Sequence, residues 1–142
     1  MAIQNTTALK QKTSRQYHNL VDSRNHIETE TIAAARTLTA EDSGKTFFIN
    51  QASAYEITLP LMSTIEAGWN ATFIISVVDT NAVTIANNTA EDTIVGIVSY
   101  SDTDSSDVAT ATAETAVDEI VFINGAKLGD TVRIISNGVN YF

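Results

Sequence analysis

The sequence predicts an all-β protein: a compact antiparallel β-sandwich or small barrel of about eight or nine strands, preceded by an extended N-terminal arm. Three observations lead there. Charge and texture split near Arg36: residues 1–36 carry five bases against three acids, and residues 37–142 carry three bases against fourteen acids. Beyond the split, short Thr/Val/Ile segments recur at roughly ten-residue spacing between turn signals. Finally, Asn137-Gly138 lies between two apolar segments, the strongest short-range hairpin signal. The expected organisation is an arm over 1–34 and a β-domain over 35–142.

The arm is rich in Gln, Asn, Thr, Ser and Lys, and lacks glycine. Its apolar residues are too sparse to give a helix a buried face, so it is expected to order only against a partner. From Ile32 the pattern changes. Arg36-Thr37-Leu38-Thr39 alternates with Leu38 facing in, and Glu41-Asp42-Ser43-Gly44 reads as a turn. Strands are expected over 45–50 and 55–59, the latter ended by Pro60, which has no N–H to give to a ladder. Leu61 to Gly68 has room for one helical turn. Trp69 to Val78 is nearly continuous in apolar residues, the mark of a central strand buried on both faces.

Residues 82–86 alternate again, and 93–100 form a strand with Gly96 inside it, a bulge signal. Ser101 to Thr115 reads as a long polar loop. Segments 119–124, 131–136 and 139–142 complete the strand set. Phe48-Ile49-Asn50-Gln51-Ala52 is echoed by Phe122-Ile123-Asn124-Gly125-Ala126, as expected of two strands leaving the core in the same way.

Composition narrows the chemistry. The chain has no cysteine, so disulfides and thiolate metal sites are excluded, and stability must come from burial, strand pairing and self-association. A net charge of −9 disfavours nucleic acid as a partner. No segment approaches the roughly 18 apolar residues of a membrane span. His18 and His26 both lie in the arm, without the third ligand and rigid frame a metal needs. The acidic run Asp102-Thr103-Asp104-Ser105-Ser106-Asp107 offers oxygen donors. It fails the helix–loop–helix calcium pattern, because Asp107 stands where Gly is needed and Ala113 where Glu is needed. It reads as a solvated loop. Glu41-Asp42, Glu91-Asp92 and Asp118-Glu119 fall at strand ends, where they cap turns and blunt edges. Trp69 reads as core or subunit contact. No catalytic constellation is present, and no cofactor is implied, so a binding or structural role is expected over an enzymatic one.

The segment from Arg36 to Asn50, followed by Ile57-Thr58-Leu59-Pro60, Ala67-Gly68-Trp69, Phe73-Ile74-Ile75, Asp92-Thr93-Ile94-Val95-Gly96 and Val121 to Ala126 with Gly129-Asp130, resembles the small decoration (cement) proteins of tailed-bacteriophage capsids. The resemblance covers residues 36–142 and carries no catalytic residue. It implies a structural virion protein on the outer capsid surface, a homotrimer that clamps neighbouring major capsid subunits. In such a scheme Lys10, Lys12, Arg15 and Arg24 of the arm would pair with capsid carboxylates, and Leu9, Tyr17, Leu20 and Val21 would supply apolar anchors. The alternative is a receptor- or glycan-binding β-module of a phage tail fibre, with the 101–115 loop as its candidate site. A polysaccharide hydrolase ranks last, since no carboxylate pair is singled out.

Overall fold

The computed structural model describes residues 27–89, 93–100, 110–123 and 126–142, with the backbone alone for 97–100 and 110–117. Among these residues ten strands form: β1 (Thr29–Ile32), β2 (Arg36–Thr37), β3 (Thr46–Asn50), β4 (Tyr55–Thr58), β5 (Asn70–Val77), β6 (Val83–Ala86), β7 (Ile94–Tyr100), β8 (Thr110–Val117), β9 (Glu119–Phe122) and β10 (Thr131–Ile135). One sheet has the order β1-β3-β5-β10, a second has the order β2-β4-β6-β9, and β7 pairs with β8.

The fold is all-β as expected, but its strand directions are not. β1, β3 and β5 run parallel to one another, and so do β2, β4 and β6. The chain therefore alternates between two sheets, each consecutive pair of strands making one coil that stacks on the last. The β7–β8 hairpin then intervenes, and β9 and β10 close the stack antiparallel to β6 and β5. The antiparallel expectation rested on turn signals between successive strands. Parallel neighbours need a long crossover, ordinarily a helix; here a strand in the opposite sheet supplies it.

Parallel register aligns like side chains across the coils. Ile32, Ile49 and Ile75 are successive partners, as are Ile57, Ile85 and Ile120. Phe47 pairs with Phe73, their rings stacked with centroids 5.5 Å apart. Both sheets contribute to a single buried cluster, which also holds Leu38, Leu59, Trp69, Val83, Phe122 and Ile134. Tyr55 ties the sheets together directly, its hydroxyl lying 2.7 Å from the Ile32 carbonyl and 3.0 Å from that of Asn50. Burial pushes the Tyr55 phenol above its ordinary pKa, against the opposing pull of the Asn50 carbonyl.

Several local expectations are met. Leu38 is buried, β4 stops just before Leu59-Pro60, and Met62–Thr64 forms one 3₁₀ turn. The β7–β8 register slips between Ile94 and Gly96, which is the expected bulge. Others need correction. β5 is packed on one face only: Ala71, Phe73 and Ile75 are buried, whereas Thr72, Ile74 and Ser76 on its other face are half-buried. β1 lies inside the segment expected as an arm, so the folded body begins N-terminal to residue 35. Three of its four residues are exposed and it shows no apolar alternation, so its sequence reads as a polar segment. β8 occupies the end of the expected 101–115 loop; its Thr/Ala sequence suits a strand without supplying large apolar residues.

Residues 139–142 are not a strand. Asn137 Oδ1 accepts the N–H groups of Val139 and Asn140, both at 2.8 Å, and Gly138 takes a φ of 89°. A side chain there would be strained in the left-handed region. The turn returns Tyr141 to the core, where its ring meets Trp69 edge-on at 6.0 Å and its hydroxyl donates to the Pro60 carbonyl. Its backbone bridges to β7, the Tyr141 N–H reaching Thr93 O at 3.0 Å and the Val95 N–H reaching Tyr141 O at 2.8 Å.

The stacked aromatic pair sets the first prediction. Phe73→Ala removes a fully buried ring from the centre of the body and is expected to cost about 3–5 kcal/mol. Thr72→Ala, one residue away on the outer face, is expected to stay within about 0.5 kcal/mol. Urea denaturation of the two variants compares them, and equal losses would contradict the one-sided packing of β5.

Candidate functional site

The eight arm residues expected to contact a partner, Leu9, Lys10, Lys12, Arg15, Tyr17, Leu20, Val21 and Arg24, lie outside the described residues, as do His18, His26, Glu91-Asp92 and the acidic run 102–107. The described residues instead show two contrasting regions of the body.

The first coil ends in charge. Glu30 is the register partner of Phe47, and Arg36 that of Ile57, so both stand where apolar columns of the core would otherwise continue. They pair with each other, and the Arg36 guanidinium lies 5.4 Å from the centroid of the Phe47 ring. Asp42, only 3% exposed, binds Arg36 and Lys45: its Oδ1 is 3.0 Å from Arg36 Nη2 and 2.9 Å from Lys45 Nζ. Its Oδ2 accepts the Thr39 N–H at 2.9 Å, capping the 3₁₀ turn over Ala40–Asp42. Lys45 reaches on to Glu28 at 3.3 Å.

Burial pushes the Asp42 carboxyl up. The Lys45 hydrogen bond, the Thr39 N–H and the charges of Arg36 and Lys45 outweigh that and hold it below its ordinary value. Lys45 is raised, chiefly by its bond to Asp42. Asp42 does cap a turn, as its position at a strand end suggested. It does so buried, at the centre of an ion cluster that sequence spacing did not reveal. The available signal was Glu30, an acid between two threonines and two residues before the inward Ile32.

A second region, where β3, β5 and β9 finish, is organised by Gln51. This side chain is fully buried. Its backbone N–H bonds Val77 O at 3.1 Å, and its own carbonyl accepts Asn81 Nδ2 at 3.1 Å. Its Nε2 faces three carbonyl oxygens, those of Asn81 at 3.0 Å and of Phe122 and Ile123 at 3.4 Å each. Exchanging the amide O and N would set oxygen against oxygen, so the orientation is fixed. Gln51 Oε1 has no donor among the described residues. Gln51 thus joins the two echoed segments, which do not leave the core alike: Ile49 is buried and Ile123 exposed.

Val77, Val78, Ile123 and Leu128, at or beyond the ends of β5 and β9, are exposed by 44%, 43%, 62% and 70%. The Gly129 N–H to Ile75 O bond, at 2.9 Å, holds the Leu128 turn against the end of β5. Apolar residues set within turn-forming sequence, as Ile123 and Leu128 are, were the available sign of this exposure.

Among the described residues no group of three His, Asp or Glu side chains is placed to hold a metal ion, and no helix is long and apolar enough to cross a membrane. No family model matches the chain, and comparison with curated proteins and with solved structures gives no match.

The ion cluster sets a pH prediction. A carboxylate whose pKa is depressed by folding stabilises the protein above its unfolded value and loses that contribution as pH falls through the folded one. Asp42→Asn is expected to cost about 1–3 kcal/mol at neutral pH. Because the raised pKa of Lys45 keeps its ammonium charged there, the cluster is complete across the neutral range. The difference between wild type and variant should shrink as pH drops below the ordinary aspartate range, measured by urea melts at a series of pH values. A difference that stays constant into acid would show that the charge of Asp42 is not what matters.

Proposed function

We propose that this chain is a structural virion protein that decorates the outer surface of a tailed-phage capsid and stabilises it by clamping neighbouring major capsid subunits. The resemblance of residues 36–142 to capsid decoration proteins motivates the reading. The observation that supports it is where the polar, net-basic N-terminal segment joins the body. Glu28 and Glu30, its last charged residues, are ion-paired to Lys45 and Arg36. The chain thus enters the β-body through residues ion-paired to it, and in this reading the body's two sheets, sharing one core, make up a β-sandwich. A partner that binds only the assembled lattice stabilises it by mass action. Several linked copies would multiply the effect.

In this reading Lys10, Lys12, Arg15 and Arg24 meet capsid carboxylates while Leu9, Tyr17, Leu20 and Val21 anchor between subunits. The test is co-sedimentation of the full chain with empty expanded capsids assembled from the major capsid protein of the same virus. Binding is expected, with added resistance of the capsids to heat. The triple variant Lys10→Glu, Lys12→Glu and Arg15→Glu is expected to bind at least about tenfold more weakly, since each reversal replaces attraction with repulsion. Failure of the wild-type chain to sediment with capsids would remove the decoration reading.

A further inference from the structure

We propose that Asn137 is a site of spontaneous covalent modification, held back by the turn it forms, and that its conversion to isoaspartate releases the β7–β8 hairpin from the body. An asparagine followed by glycine is open to deamidation, because glycine puts no side chain in the way of the attacking main-chain nitrogen. In that reaction the Gly138 nitrogen bonds to Asn137 Cγ, and its proton leaves with the side-chain nitrogen as ammonia. The succinimide ring so formed then takes up one water. Opening at the Cγ carbonyl gives aspartate. Opening at the main-chain carbonyl gives isoaspartate, whose main chain runs through Cβ and Cγ and is one atom longer. Asn137, Gly138 and Val139 are all exposed, so water and hydroxide reach the site.

The native turn opposes ring closure at the atoms that must move. The Gly138 N–H is donated to Ser136 Oγ at 2.9 Å, and Ser136 is itself buried. Asn137 Oδ1, which must swing as Cγ becomes tetrahedral, accepts the N–H groups of Val139 and Asn140. The Asn137 N–H is bound to Asn140 O at 3.1 Å. Closure therefore waits on local opening of the turn. The consequence follows from what the turn holds. Among the described residues β7 and β8 form a ladder only with each other, and a two-stranded ribbon is marginal by itself. Its base is fastened by the residues after the turn. Asn140 Oδ1 accepts the Thr93 hydroxyl at 2.7 Å, and the backbone of Tyr141 bonds both Thr93 and Val95. Tyr141 is in turn bridged to Ser136, and Phe142 exchanges two backbone bonds with Ile135, at 2.7 and 2.8 Å. An extra main-chain atom at 137 breaks that register and draws Tyr141 from its place beside Trp69. Aspartate at 137 keeps an oxygen for both N–H groups and leaves the register intact.

Ageing of the full chain at mildly alkaline pH, native and in urea, tests both halves. Peptide mapping separates Asn137 from Asn124, the chain's other asparagine before glycine. Conversion at Asn137 is expected to be at least about tenfold slower in the native protein than in urea, since it needs the opened turn. Ser136→Ala, which removes the acceptor of the Gly138 N–H, should quicken native conversion by about threefold and leave the rate in urea unchanged. Native conversion as fast as that in urea overturns the guarding role of the turn. The isoaspartate form is then separated from the aged protein and compared with wild type and with Asn137→Asp by hydrogen exchange. Exchange at the Val95 and Tyr141 amides should quicken by at least about tenfold in the isoaspartate form and stay near wild type in Asn137→Asp. An isoaspartate form that exchanges like wild type, or an aspartate variant that loosens equally, overturns the release of the hairpin.

Discussion

Stacking in register is the constraint from which most of this structure follows. Because β1, β3 and β5 are parallel, a residue in one coil lies beside its counterpart in the next, so inward positions form columns: isoleucine on isoleucine through Ile32, Ile49 and Ile75, and ring on ring at Phe47 and Phe73. Columns of this kind tolerate no slip, since a shift of one residue would turn every inward side chain outward. The turns are correspondingly determined. A left-handed Gly138 returns Tyr141 under Trp69, and the Asp42 cap sets the chain into β3.

A column must also end somewhere. At the first coil it ends in Glu30 and Arg36, whose charges satisfy one another and whose desolvation is shared with Asp42 and Lys45. Charged side chains at inward positions of an edge discourage further strands from pairing there. At the other edge of each sheet the chain reverses, so that β9 and β10 run against their neighbours.

Much of this was legible in the sequence at the level of faces. Period-two alternation placed Leu38 inside and marked residues 55–59 and 82–86 as strands, and Pro60, Gly96 and Asn137-Gly138 marked a strand end, a bulge and a tight turn. Alternation reports which side of a strand is buried and says nothing of the direction of its neighbour, so the parallel stacking was invisible. β1 and β8 lacked large apolar residues and merged with arm and loop. The ion cluster and the contacts of Gln51 were hidden for a related reason. The ion cluster joins Glu28, Glu30, Arg36, Asp42 and Lys45 through the fold, and Gln51 meets Asn81, Phe122 and Ile123, which are distant from it along the chain.

The reversal at β7–β8 also bears on how the molecule is made. Coils stacked in parallel find their partners in the chain just completed, so β3 can dock on β1, and β5 on β3, with little loop to close. Ala71, by contrast, must wait for Ile134, and Ile85 for Ile120, across the whole hairpin. Until then the last parallel strands present open edges with their apolar side chains only partly covered. Assembly should therefore show a fast phase for the first coils and a slower closing phase, and the interval between them is when the chain is most exposed to aggregation.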